Sequence, residues 1–156
     1  MENQEEKAKL LIALQDRDDD KAYAKAKEVA AESELSDKYY SYLKDFASLL
    51  NSQKSYIRTR AFILCCSQAR WDNSGVIKEI LPHMLQLLHD EKPTVVKQCL
   101  NAISEIIVFR TELAEEIGNE LSKIDLGNYK ESMSHLIEKD IMNLHHLIAE
   151  VKNEHC

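Results

Sequence analysis

Glycine and proline are scarce: this 156-residue chain has three of the first and two of the second. Strands joined by tight turns need more of both, because turns draw on glycine for positive φ and on proline for a fixed φ. An all-β chain is disfavoured and an all-α one favoured. Long hydrophobic runs are also missing. Leu10-Leu11-Ile12-Ala13-Leu14 falls far short of the roughly 20 apolar residues of a membrane span. The opening Met1-Glu2-Asn3-Gln4-Glu5-Glu6 is acidic, unlike a secretory leader. Positive charge is in deficit, with 20 Lys and Arg against 27 Asp and Glu, a net charge of −7. That argues against nonspecific binding to nucleic acid or anionic membrane. No cysteine framework exists. Cys65 and Cys66 are adjacent and point in different directions on a helix, and Cys99 and Cys156 complete no spacing pattern. A reduced, cytoplasmic protein is the simple reading.

What is present is ordinary for a folded chain: 44% hydrophobic and 30% charged residues. The length predicts one domain, 1–156, with a real core. Apolar residues recur at helical spacing. The first helix is predicted over about 2–15, on Leu10, Leu11 and Leu14. The acidic break Asp16–Asp20 follows, with its carboxylates read as a helix N-cap and dipole partner. The next helices are predicted near 20–33 and, capped by Ser36 or Asp37, near 37–51. A fourth covers about 54–70, with Ile57, Ala61, Leu64, Cys65 and Gln68 on one face. The loop Asp72-Asn73-Ser74-Gly75 offers Asn73 or Ser74 as a cap for a fifth, about 75–89, which Pro82 should kink. The sixth, about 92–109, opens on Pro93 and should be the most buried. The last two are placed at about 111–124 and 128–152, the final one broken near Glu138–Asp140.

Leu49–Ala61 is echoed by Leu87–Cys99 at an offset of 38 residues: Leu50 falls on Leu88, Ile57 on Val95 and Ala61 on Cys99. A fixed offset in this range is the signature of helical repeats. The approximate repeats are 1–34, 36–71, 74–109 and 111–152. A helix pair cannot bury both faces alone, so neighbouring pairs stack into one core.

Leu49-Leu50 followed by Ile57-Arg58, Ala61 and Leu64 resembles the HEAT repeat, as does Leu87-Leu88 with Asp90, Pro93, Val95, Cys99, Ala102 and Ile103. The chain as a whole is similar to small HEAT-repeat proteins of Gram-positive bacteria, particularly along Tyr129–Met133 and Glu138–Ile141. The resemblance implies an all-α, right-handed α–α superhelix of about four HEAT-like helical hairpins, about eight helices in all. It implies a fold more than an activity. In the family, the turn Asp and a helix-B Arg form a ladder between repeats. Here Ser52 replaces one Asp and Val96 one Arg, so Arg58 is expected to pair with Asp90 or Asp16.

Candidate chemistry is sparse. Asp16-x-Asp18-x-Asp20 opens like a calcium loop, but lacks the glycine that follows and the bidentate Glu at the twelfth position. Cys65 and Cys99 occupy small-residue core positions, which favours packing over metal or iron–sulfur ligation. The histidines form no His-Glu-x-x-His pattern; His145-His146 should straddle a helix face, one half in and one out. No enzyme, cofactor or metal is expected. The resemblance places the second helix of each repeat on the concave side. There Arg58, Arg60, Lys97, Gln98 and Asn101 are the expected partner contacts, set against the default of a solvated helix face. The tyrosines at 39, 40 and 42 offer an exposed anchor cluster, and Trp71 should pack at the end of its helix against the next repeat. The leading expectation is a noncatalytic protein- or peptide-binding scaffold, as a monomer or weak homodimer in a bacterial cytoplasm. The alternatives are a nucleic-acid-binding HEAT-like protein and an iron–sulfur assembly accessory.

Overall fold

The helical bias of a chain poor in glycine and proline is realised throughout the computed structural model. It describes residues 2–154, with side chains from residue 4. Among the described residues no strand occurs, and Gly75, at 76°, is the single one with positive φ. His155 and Cys156 lie outside the described residues. Two compact units divide the chain, Met1–Val76 and Ile77–Cys156. Their boundary falls near the start of the third expected repeat.

The first unit begins with α1 (Glu2–Leu14) and α2 (Asp19–Glu32). Asp18 caps α2: its carboxylate accepts from the Lys21 amide at 3.3 Å, and Asp19 and Asp20 occupy the first turn. The acidic break is thus seen in the expected capping role. The helix expected over 37–51 is shorter, α3 (Leu43–Ser48), flanked by tight turns at Tyr40–Tyr42 and Leu49–Asn51. Tyr39, Tyr42 and Phe46 pack edge to face along this segment, with ring centroids 5.9 and 6.3 Å apart. Ser36 accepts from the Lys38 amide in a turn instead of capping a long helix.

α4 (Ser55–Ser67) packs against α2 and α3. It is buried around most of its circumference, through Ile57, Ala61, Phe62, Leu64, Cys65 and Cys66. That burial corrects the expectation that the sixth helix would be the most enclosed. Beyond it, Gln68 is fully buried and donates to Ser33 Oγ at 2.9 Å, while the Trp71 indole donates to the Ser33 carbonyl at 2.6 Å. Trp71 thus reaches back to the end of α2. Asp72, rather than Asn73 or Ser74, is seen to hold the next helix start, accepting from the Val76 amide at 3.1 Å and the Tyr40 hydroxyl at 2.6 Å.

α5 (Val76–Leu85) runs through the exposed Pro82 and tightens into a turn at Gln86–His89. In the second unit, the helix expected over 92–109 divides at Ile103 into α6 (Pro93–Ala102) and α7 (Ser104–Phe109). Ile103 keeps right-handed helical angles, φ −68° and ψ −16°, so the interruption is local. α8 (Ala114–Leu121) follows. α9 (Glu131–Glu154) is unbroken through Glu138–Asp140, contrary to expectation. Those charges are compatible with helix, and Asp140 accepts an ion pair from Lys97 at 2.8 Å. α9 packs along α6, α7 and α8, burying Ile137, Leu144, Ile148 and Val151. Gly118 lets α8 and α9 approach: a Cβ there would meet Ile148 Cδ1 at 3.3 Å.

Candidate functional site

The five expected contact residues fall in both units and have different environments. Arg58 and Arg60 lie on α4. Arg58 is half-buried and its guanidinium donates to the Ser52 and Gln53 carbonyls at 3.0 and 3.1 Å. Arg60 is 2% exposed. It donates to the Leu14 carbonyl at 2.8 Å, pairs with Asp19, and lies 5.0 Å from the Tyr56 ring centroid. This arginine is a tie between α4 and the α1–α2 turn. Lys97, Gln98 and Asn101 share α6. Gln98 and Asn101 are exposed one turn apart, while Lys97 is held by Asp140.

The cysteines at 65, 66 and 99 are buried. Burial pushes the Cys65 thiol far above its ordinary range, away from the thiolate that nucleophilic attack and metal binding require. No group of three or more potential ligands among His, Cys, Asp and Glu is arranged for a metal among the described residues. His145 is half-buried and His146 exposed, as their position on one helix predicted. The tyrosine cluster is not an exposed anchor: Tyr39 and Tyr42 are buried, and Tyr40 is half-buried on Asp72.

Inside the first unit, Tyr39 and Tyr42 line a cleft of about 360 Å³. α1 presents Glu6, Lys9, Leu10 and Ala13, which are successive members of one helical stripe. Leu10 and Ala13, with the rings of Tyr39 and Tyr42, make an apolar floor. Lys9, Lys25 and Lys38 stand around it, with Glu6 as the acidic lining residue. Lys25 lies 3.5 Å from Glu28, and Lys38 is 5.3 Å from the Tyr39 ring centroid. Among the described residues Lys9 makes no ion pair. The Tyr39 hydroxyl donates to Glu32 at 3.0 Å. Burial, followed by that hydrogen bond, pushes its pKa up to about 12.

The arrangement suits a ligand that is apolar in the middle and acidic at its edges. Sequence reasoning placed no site here. The only local signal was the stripe Glu6, Lys9, Leu10, Ala13, which mixes charge with apolar residues, and the partners Lys25 and Lys38 come together only through folding. Comparison with known family models, curated proteins and solved structures found no match to this chain.

Proposed function

We propose that this protein is a noncatalytic, HEAT-like binding module of a bacterial cytoplasm, which docks an acidic segment of another protein. The observation that carries this reading is the cleft of the first unit, where three lysines surround an apolar floor in a chain of net charge −7. An apolar side chain would seat on Leu10, Ala13 and Tyr42, and flanking carboxylates would meet Lys9 and Lys38. Burying the apolar group supplies affinity, while the charged rim supplies orientation and speeds encounter. The exposed amides of Gln98 and Asn101 on α6 are a second proposed contact, since they are adjacent and face solvent.

The test is fluorescence anisotropy with a labelled peptide of one leucine between paired glutamates. Binding should weaken with salt and fall by about tenfold or more in Lys9→Glu/Lys38→Glu, consistent with loss of two rim contacts. A peptide with serine for leucine should bind less tightly. Equal affinity of wild type and the charge variant would overturn the reading.

A further inference from the structure

Leu35 is the large hydrophobic side chain most exposed among the described residues, at 88%. Exposed leucines are common singly, but this one is held outward on an ordered turn. Its amide donates to the Glu32 carbonyl at 3.0 Å, and the Ser36 amide donates to the same oxygen at 3.1 Å. Arg70 donates to the Glu34 carbonyl at 3.2 Å. The Lys38 amide donates to Ser36 Oγ at 3.1 Å. The side chains of Glu34 and Asp37, on either side of Leu35, are exposed. The segment Glu34-Leu35-Ser36-Asp37 is thus an apolar knob between two carboxylates, with its backbone already fixed.

That is the chemistry the cleft calls for. We propose that Leu35 of one copy seats on Leu10, Ala13 and Tyr42 of a second copy, with Glu34 and Asp37 against Lys9 and Lys38, so that the protein forms a two-fold dimer. The inference rests on the reading of the cleft as a site for an acidic, apolar-centred segment. Asp37 and Lys38 are sequence neighbours, so knob and cleft belong to adjacent surface of each copy. A two-fold axis pairs each knob with the other copy's cleft, and the contact closes at two subunits. Leu35 does not fill its own cleft, because it is almost fully exposed. A turn already ordered in the free chain also loses little conformational entropy when it docks.

Sedimentation velocity of the full chain over a concentration series, up to the millimolar range, tests the pairing. Wild type should pass from monomer to dimer, and added salt should weaken the dimer. Leu35→Ser should raise the dissociation constant by about tenfold or more, which corresponds to about 1.4 kcal/mol. Lys9→Glu/Lys38→Glu and Glu34→Lys/Asp37→Lys should each be monomeric, because knob and cleft then carry like charge. Mixed together, these two variants should form a heterodimer in which both contacts are again complementary. Circular dichroism establishes that each variant remains folded. A wild type that stays monomeric, a dimer unaffected by Leu35→Ser, or a mixture that fails to associate would overturn the inference. The peptide titration separates the two readings. A monomeric protein that binds the acidic peptide keeps the binding module and loses self-pairing. A dimer with these sensitivities that ignores the peptide keeps self-pairing and loses the broader role.

Discussion

Arg60 carries a full positive charge into the first unit, and three neighbours make that tolerable. A carbonyl at the end of α1, a carboxylate at the start of α2 and the ring of Tyr56 receive it. Asp19 itself is largely exposed, 68% at the side chain, so the two partners of the ion pair should behave differently. Arg60→Met keeps much of the volume but leaves the Leu14 carbonyl without its donor. It is expected to lower the unfolding free energy by about 1–3 kcal/mol. Asp19→Ala should cost only about 0–1 kcal/mol, since solvent screens that end. Urea denaturation measures both, and equal, negligible losses would show that the tie has no energetic weight. The HEAT resemblance places Arg60 on a concave partner surface, whereas the structure buries it. Its true partners lie 46 and 41 residues away, a separation that periodicity does not reveal. The cysteines show the reverse case. Small size at apolar repeat positions predicts packing for Cys65 and Cys99, and both are buried; Cys66, which points away from Cys65 on the same helix, is buried as well because α4 is enclosed on most sides.

At the scale of the helix, local chemistry was the more dependable guide. Asp18 precedes an alanine-rich helix and caps it, as short acceptor side chains do. Asp18→Ala is expected to cost about 1 kcal/mol, while Asp18→Asn should retain most of the stability because its carbonyl oxygen can accept the same bond. Thermal melting followed by circular dichroism distinguishes them, and identical melting of the alanine variant would remove the cap from the account. Boundaries were less legible. The Tyr39–Tyr42 segment has helical spacing, yet its rings pack edge to face and the chain passes through a tight turn before α3. Conversely, Glu138-Lys139-Asp140 looked like an interruption and lies within α9, one of its charges paired with Lys97 on α6.

For the molecule as a whole, charge and its distribution point in different directions. The chain carries −7 overall, while three lysines gather at one cleft. Long-range attraction to a polyanion depends on the summed field, whereas docking of a short acidic segment depends on the local one. The protein is therefore expected to retain no duplex DNA in filter binding at low salt, even if it binds the acidic peptide. Salt-sensitive retention of duplex would reverse that assignment and favour the nucleic-acid reading. No helix among the described residues is long and apolar enough to cross a membrane.

The sequence by itself determined the helical class, because few residues in it can end a helix and apolar side chains recur at helical spacing. It also determined the interior role of the residues at the 38-residue echo: Leu50, Leu88, Ile57, Val95, Ala61 and Cys99 are all buried. Only the tertiary structure decided which charges meet. Lys9, Lys25 and Lys38 sit on three separate segments, and their convergence around Leu10, Ala13 and Tyr42 depends on how α1 packs on α2 and how the chain turns before α3. Spacing encodes the face of a helix, but the distance between side chains on different helices is set by packing, and that is where this cleft arises.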